Sequence, residues 1–341
     1  MAQHFLLTAD SRTLSLKQIF RLTDNEAFEM IKSLRWEGGK PVCPHCGHEE
    51  KHYWISTRKR WKCSDCHRQF SVTSGTIFAY HKLPIQDYLA AIAIFSNGSK
   101  GYSALQLSRD LDVQYKTAFV LAHKIREAIG NFQDDSALDG EVEVDGSYFG
   151  GYIKPANKKE DRVDRRKAEN QNGKRRCVIA FRKKSEDGEG ADRTICHVID
   201  TENQEEITEM AIDAVDPEAL IHADQHSGYD ALESYFETTR VNHNLQYSDY
   251  VTGGCINQCE SFFSRMARCH IGQHHHIDPK YLINYATEMA FREDTRRDSN
   301  GAIFQNILGR AMKSPVSPEW CGYWQGNHRT DDGMYQSVAV A

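Results

Sequence analysis

No apolar run in this 341-residue chain is long enough to cross a bilayer. The longest, YLAAIAIF at 88–95, falls far short of the roughly 20 residues a helical span needs. The opening MAQHFLLTADSR sets polar and charged residues where a secretory signal carries its apolar stretch, so a cytoplasmic protein is expected. Internal repeats and low-complexity segments are also missing. Net positive charge is lacking too, at -6 overall, which looks wrong for a nucleic-acid binder until the charge is divided along the chain. Residues 1–130 hold 18 Lys+Arg against 12 Asp+Glu, and the remainder holds 24 against 36. A basic front and an acidic back point to polyanion binding in one part and acid-rich chemistry in the other. In a reducing compartment the ten cysteines read as metal ligands or buried thiols rather than disulfides.

What is present begins with EVEVDGSYFGG at 141–151. Val142 and Val144 point one way and Glu141, Glu143 and Asp145 the other, the period-two pattern of a half-buried strand. Asp224 ends a comparable strand, ALIHADQHSGY, and Glu260 lies in an amphipathic helix, NQCESFFSRMA. Strands are expected at 141–149, 176–183, 193–200, 219–224 and near 239–243, with helices at 203–215, 229–236, 255–270 and 279–294. That order, three strands, helix, strand, helix, strand, helix, is by analogy that of a ribonuclease-H-like α/β fold with a mixed sheet. Taken singly, each acid reads better as a cap or turn residue than as a catalytic one. Brought together, they would offer Mg²⁺ or Mn²⁺ the hard oxygen ligands that two-metal phosphoryl transfer requires.

Cys43-x-x-Cys46, sixteen residues, then Cys63-x-x-Cys66 has the spacing of two knuckles closing a tetrahedral zinc site. Between them HYWISTRKRWKC reads as a hairpin exposing Arg58, Lys59, Arg60 and Lys62 beside Tyr53, Trp54 and Trp61. The ribbon either contacts nucleic acid through these or serves only to fold. Further on, Ser103 caps a helix, the pattern breaks at Leu111–Val113, and a second helix opens on Gln114, Tyr115, Lys116 and Thr117. A DNA-reading helix-turn-helix has this punctuation, as does any two-helix hairpin. Residues 151–184, with 13 Lys+Arg against 4 Asp+Glu, form a basic insertion, either a solvated loop or a DNA-contacting arm.

The divisions expected are a helical lead-in at 1–36, a zinc ribbon at 37–80, a helix-turn-helix segment at 81–132, a catalytic domain at 138–298, and a C-terminal tail at 299–341. Within that tail IFQNILGRAM reads as a short helix, and Trp320 and Trp324 have no evident role.

The stretches CPHCG, RWKCSDCHRQFSVTSGTIF, SALQLSRDLDVQYKTA, EVDGSYFGG, HADQHSGY and NQCESFFSRMARCHIGQHHHI followed by AFRED carry a resemblance nearly end to end. The chain resembles bacterial insertion-sequence transposases of the DDE type with an N-terminal zinc ribbon, relatives of the Merlin elements. The resemblance implies a ribonuclease-H-like core with Asp145, Asp224 and Glu260 as a two-metal triad, and DNA cleavage and strand transfer by a protein oligomer on terminal inverted repeats. Two departures stand out: Cys255-Ile256-Asn257 where the family often has His-Thr-Asn, and Ala267 where it commonly has Lys. Arg265 and Arg268 are the candidates to take over that phosphate contact, and Asn257 is a minor candidate ligand. The run His274–His276 reads as a phosphate or metal contact or as plain surface. The rival is a non-catalytic DNA-binding regulator derived from a transposase; either protein would be nucleoid-associated.

Overall fold

The structure is a computed structural model that describes residues 5–326 apart from 165–166, 171, 189 and 242–253. Positions 242–243 of the last expected strand, Arg165 and Arg166 of the basic insertion, and the tail beyond residue 326 lie outside the described residues. The chain divides into two compact units, one of residues up to Gln133 with 295–326, the other Asp134–Asp294. Among the described residues no helix is long and apolar enough to cross a membrane.

The first unit opens with α1 (Leu16–Arg21) and α2 (Asp24–Arg35). Both start on reciprocal caps, Ser15 with Gln18 and Thr23 with Glu26, which satisfy N–H groups that a helix start leaves open. α2 lays Phe28 on Trp54 and Trp61 of a three-stranded antiparallel ribbon, β1 (His52–Ile55), β2 (Arg60–Cys63) and β3 (Gln69–Phe70), at centroid distances of 5.5 and 5.6 Å. Arg35 adds hydrogen bonds to the carbonyls of Ser71, Val72 and Ser74, so the FSVTSGTIF stretch is tied to α2. α3 (Ile85–Asn97) is buried along most of its length. α4 (Ala104–Asp110), capped by Ser103, and α5 (Tyr115–Gly130) follow, with Asp112 at φ 50° in the turn between them.

The second unit is built on β4 (Glu141–Gly150), β5 (Arg175–Lys184), β6 (Ala191–Ile199), α6 (Gln204–Ala214), β7 (Leu220–Asp224), β8 (Glu237–Val241), α7 (Asn257–Cys269) and α8 (Leu282–Asp294). The sheet order is β6-β5-β4-β7-β8, antiparallel through β6, β5 and β4 and parallel from β4 to β7 to β8. Val142 and Val144 bury against Ile207 and Ala211 of α6, while α7 packs on β4 and β5. Two expectations change. The basic insertion, expected over 151–184, overlaps the strand expected at 176–183; that strand forms as Arg175–Lys184, with Arg175–Lys183 paired to β4, so the insertion ends at Lys174. The helix expected at 229–236 is a 3₁₀ run, Ser227–Ser234.

The expected tail from 299 instead begins with α9 (Asn300–Lys313), which belongs to the first unit. Its apolar face, Phe304, Ile307, Leu308, Ala311 and Met312, is buried, and Asn300 bonds the Leu14 backbone at both N–H and carbonyl. Trp320 and Trp324 pack on α5. Trp320 stacks on His123 at 4.3 Å, and Trp324 Nε1 donates to the Lys116 carbonyl at 3.2 Å.

Candidate active site and zinc centre

Parallel pairing of β4 with β7 matches Val144 to Ala223. Asp145 and Asp224 are the next residue on each strand. Neighbouring strands run roughly 4.8 Å apart, so the two carboxylates emerge side by side where β7 ends and β4 continues. Each is fixed locally: Asp145 Oδ1 accepts the Gly146 N–H at 2.8 Å and Asp224 Oδ1 the Gln225 N–H at 2.6 Å.

Glu260 reaches the same region from α7, and the docking of that helix explains how. Its N-cap, Ile256, offers no side-chain acceptor, so the first-turn N–H groups need one from elsewhere. Glu143, two residues before Asp145 and fully buried, supplies it: Glu143 Oε2 accepts from Gln258 N at 2.7 Å and Cys259 N at 3.1 Å. Cys259 Sγ in turn donates to the carbonyls of Glu143 and Ala180, and Ala180 is the β5 partner of Asp145. Arg182 holds the Gln258 carbonyl at 2.6 Å. Glu260 follows directly on this seated turn. Burial lifts the Glu143 carboxyl to about 7, against the pull of the Cys259 and Gln258 N–H groups.

Burial also lifts Asp145 to about 7; the Gly146 N–H opposes this, and the negative charges of Glu202, Asp224 and Glu260 add to it. The charges acting most strongly on Asp145 are thus all carboxylates. Such a set is the hard oxygen donor group that Mg²⁺ or Mn²⁺ takes, and a divalent cation would offset the repulsion. Glu202 was not anticipated. It precedes Asn203, the N-cap of α6, and its Oε1 accepts the Tyr229 hydroxyl at 2.6 Å.

At the ribbon, the ligand atoms of Cys43, Cys46, Cys63 and Cys66 lie within 4.8 Å of one another. Cys43 and Cys66 sulfurs are 3.6 Å apart, Cys46 and Cys63 sulfurs 3.7 Å. Four sulfurs at about 2.3 Å from a tetrahedral zinc ion are roughly 3.8 Å apart, so the set fits structural zinc.

Residues 137–294 match the family model of the ISXO2-like transposase domain and residues 22–69 that of the transposase zinc-ribbon domain, together more than half of the chain. The chain belongs to the zinc-ribbon insertion-sequence transposases. A protein of Halobacterium salinarum described as an uncharacterized protein in transposable element ISH50 is 24% identical over 302 residues, covering 85% of this chain and 98% of its own.

The other residues singled out from sequence are distributed as follows. Arg58, Lys59 and Arg60 form the tip of the ribbon hairpin, with Lys59 in a left-handed conformation at φ 46°. Gln114, Tyr115, Lys116 and Thr117 are exposed at the start of α5, though the Lys116 ammonium lies 4.8 Å over the Trp324 ring. Arg265 is ion-paired to the buried Glu293, whereas Arg268 is exposed in the last turn of α7. Asn257 is exposed at the start of α7, and His270–His274 forms a π-helical turn ahead of His275 and His276. The residue behind this region whose part sequence reading missed most plainly is Glu143, the cap of α7. Its signal was there, an acid two positions before Asp145 on the same strand face.

Proposed function

We propose that this protein cleaves DNA strands at the ends of its element and joins the freed ends to target DNA, with Asp145, Asp224 and Glu260 holding two Mg²⁺ or Mn²⁺ ions. The reading rests chiefly on one observation, the β4–β7 register that makes Asp145 and Asp224 neighbours, inside a region matching a transposase domain. Three antiparallel strands followed by two parallel ones support taking the sheet as a ribonuclease-H-like core spanning about 138–298. The capped pair α4 and α5 supports a helix-turn-helix within 81–132, offering Gln114, Tyr115, Lys116 and Thr117 to terminal inverted repeats. The ribbon of 37–80, with zinc on its four cysteines, adds Arg58, Lys59 and Arg60 as phosphate contacts.

When bound, the two ions would activate the attacking oxygen and neutralise the leaving one. Two strands and a docked helix contribute the acids, so each donor stands on a rigid element before substrate arrives. In the first step water attacks the phosphorus at the element end, the P–O3′ bond breaks, and a 3′-hydroxyl is released. In the second, that hydroxyl attacks a target phosphorus and displaces a target 3′-oxygen. Both are substitutions at phosphorus, so one site serves both, with no covalent protein intermediate. Arg268, next to Ala267 and exposed in the last turn of α7, is the cation this helix offers to a phosphate. A homo-oligomer on DNA would bring the two ends together.

The test is nicking of a duplex carrying the element end in Mg²⁺. Asp145→Asn is expected to bind that duplex within a few fold of wild type and to nick nothing; retained nicking removes Asp145 from the mechanism. A wild-type protein that binds the end without ever cutting it would be a regulator instead.

A further inference from the structure

Gly146 touches two carboxylates at once. Its N–H donates to Asp145 Oδ1 at 2.8 Å, and a Cβ built on its Cα would lie 2.5 Å from Glu202 Oε1 and 2.8 Å from Glu202 Cδ. The glycine is needed here for room: its φ is not among the left-handed ones, and the carboxylate of Glu202 together with Ile179 Cδ1, 2.9 Å from such a Cβ, fills the space a side chain would take. Glu202 comes from the α6 side of the sheet, the side of Val142 and Val144, whereas Glu260 comes from the α7 side. An acid from each face of the sheet thus acts on the charge of Asp145.

Glu202 is also fixed from both ends. The fully buried Tyr229 donates its hydroxyl to Oε1 at 2.6 Å, and the Tyr148 hydroxyl accepts the Glu202 backbone N–H at 3.1 Å. The second oxygen of the carboxylate is left for another partner. An acid that only filled space at this position would be better replaced by an amide or an apolar residue, since it sits against like charge.

We propose that Glu202 is a fourth carboxylate of the metal site, holding a divalent cation together with Asp145 and steered by Tyr229. This rests on the function proposed above, and it gives that site a ligand from each face of the sheet. Tyr229 acts as a positioning residue, in the way that groups behind a ligand fix its orientation.

Mn²⁺ binding to the full-length protein, followed by the loss of the free-ion paramagnetic resonance signal, tests it alongside the Mg²⁺ dependence of end nicking. Glu202→Gln keeps the shape and an acceptor for Tyr229. It should weaken Mn²⁺ binding and raise the Mg²⁺ needed for half-maximal nicking by roughly tenfold or more, with duplex affinity unchanged and a thermal midpoint no lower than that of wild type. Gly146→Ala alters no acid but drives Glu202 away, and it should shift Mn²⁺ binding in the same direction. If Glu202→Gln matches wild type in both metal readouts while Asp145→Asn has lost both, Glu202 is no ligand and the proposed function stands. If Asp145→Asn also keeps both, the proposed function fails and this assignment with it.

Discussion

Glu143 and Cys259 bond to each other twice: the Cys259 N–H donates to Glu143 Oε2 at 3.1 Å, and Cys259 Sγ donates back to the Glu143 carbonyl at 3.3 Å. A strand residue thereby caps a helix that begins more than a hundred residues later, and the residue after Cys259 is Glu260. Replacing Glu143 by Ala strips the acceptor from a buried N–H group, at a cost of about 2 kcal/mol, or roughly thirtyfold in local opening. Amide hydrogen exchange in α7 should accelerate by about that factor, while Glu143→Gln, which keeps an acceptor, should change far less. Equal protection in wild type and Glu143→Ala would show that other contacts seat the helix.

Zinc should be integral to the first unit. Trp61 is buried among Phe28, Trp36, Trp54 and Phe70, and its strand ends on Cys63. Removing the ion leaves four thiols crowded together with nothing to hold the knuckles closed, and binding energy in such sites is folding energy. Chelation, or Cys63→Ser, should release one zinc per chain and shift tryptophan emission to the red. An unchanged emission spectrum in protein shown to be metal-free would mean that the aromatic cluster alone holds the ribbon.

His197 on β6 gives a pH dependence of defined sign. Its Nε2 is buried without a hydrogen-bond partner among the described residues, and its ring meets Phe181 edge to face at 6.0 Å. Burial holds it down at about 4 from an ordinary 6.5, the charge of Asp213 opposing only in part. Between pH 6.5 and 4 the unfolded chain takes up a proton at His197 that the folded chain refuses, so the His197 contribution to stability falls as the pH is lowered, opposite in sign to those of Glu143 and Asp145, whose raised carboxyls take up protons in the folded chain. From pH 7 to 5 the His197 contribution drops by about 2 kcal/mol. His197→Leu should therefore raise stability at pH 5 relative to pH 7 by that amount compared with wild type, in urea unfolding followed at both pH values; an identical difference in the variant would exclude His197 as a source.

Local signals in the sequence were legible because local physics sets them. The cap at Ser103, the alternation of Val142 and Val144, and the cysteine spacing each depend on a few neighbouring residues. What stayed hidden depends on distant segments. Glu141, Glu143 and Asp145 share one strand face, yet Glu141 meets Lys184 and His222 at the edge and Glu143 lies under α7. Only the position of a helix far along the chain separates them. Glu202 looks like any acid ahead of a helix cap, and its approach to Gly146 follows from sheet order alone. Trp320 and Trp324 were opaque for the same reason, since the face of α5 they cover lies about two hundred residues earlier.

The exposed start of α5 can be separated from the ribbon by how each responds to sequence and to salt. Gln114, exposed at that helix end, carries an amide that can both donate to and accept from an adenine edge, whereas Arg58 and Arg60 at the hairpin tip are the proposed phosphate contacts. Gln114→Ala should weaken binding to a duplex carrying the element end by about 1–3 kcal/mol and leave binding to a scrambled duplex unchanged. Arg58→Ala combined with Arg60→Ala should weaken both duplexes alike and lower the slope of log affinity against log salt by about two. Fluorescence anisotropy across a range of NaCl concentrations measures both. If Gln114→Ala weakens the two duplexes equally, α5 contacts the backbone and sequence is read elsewhere.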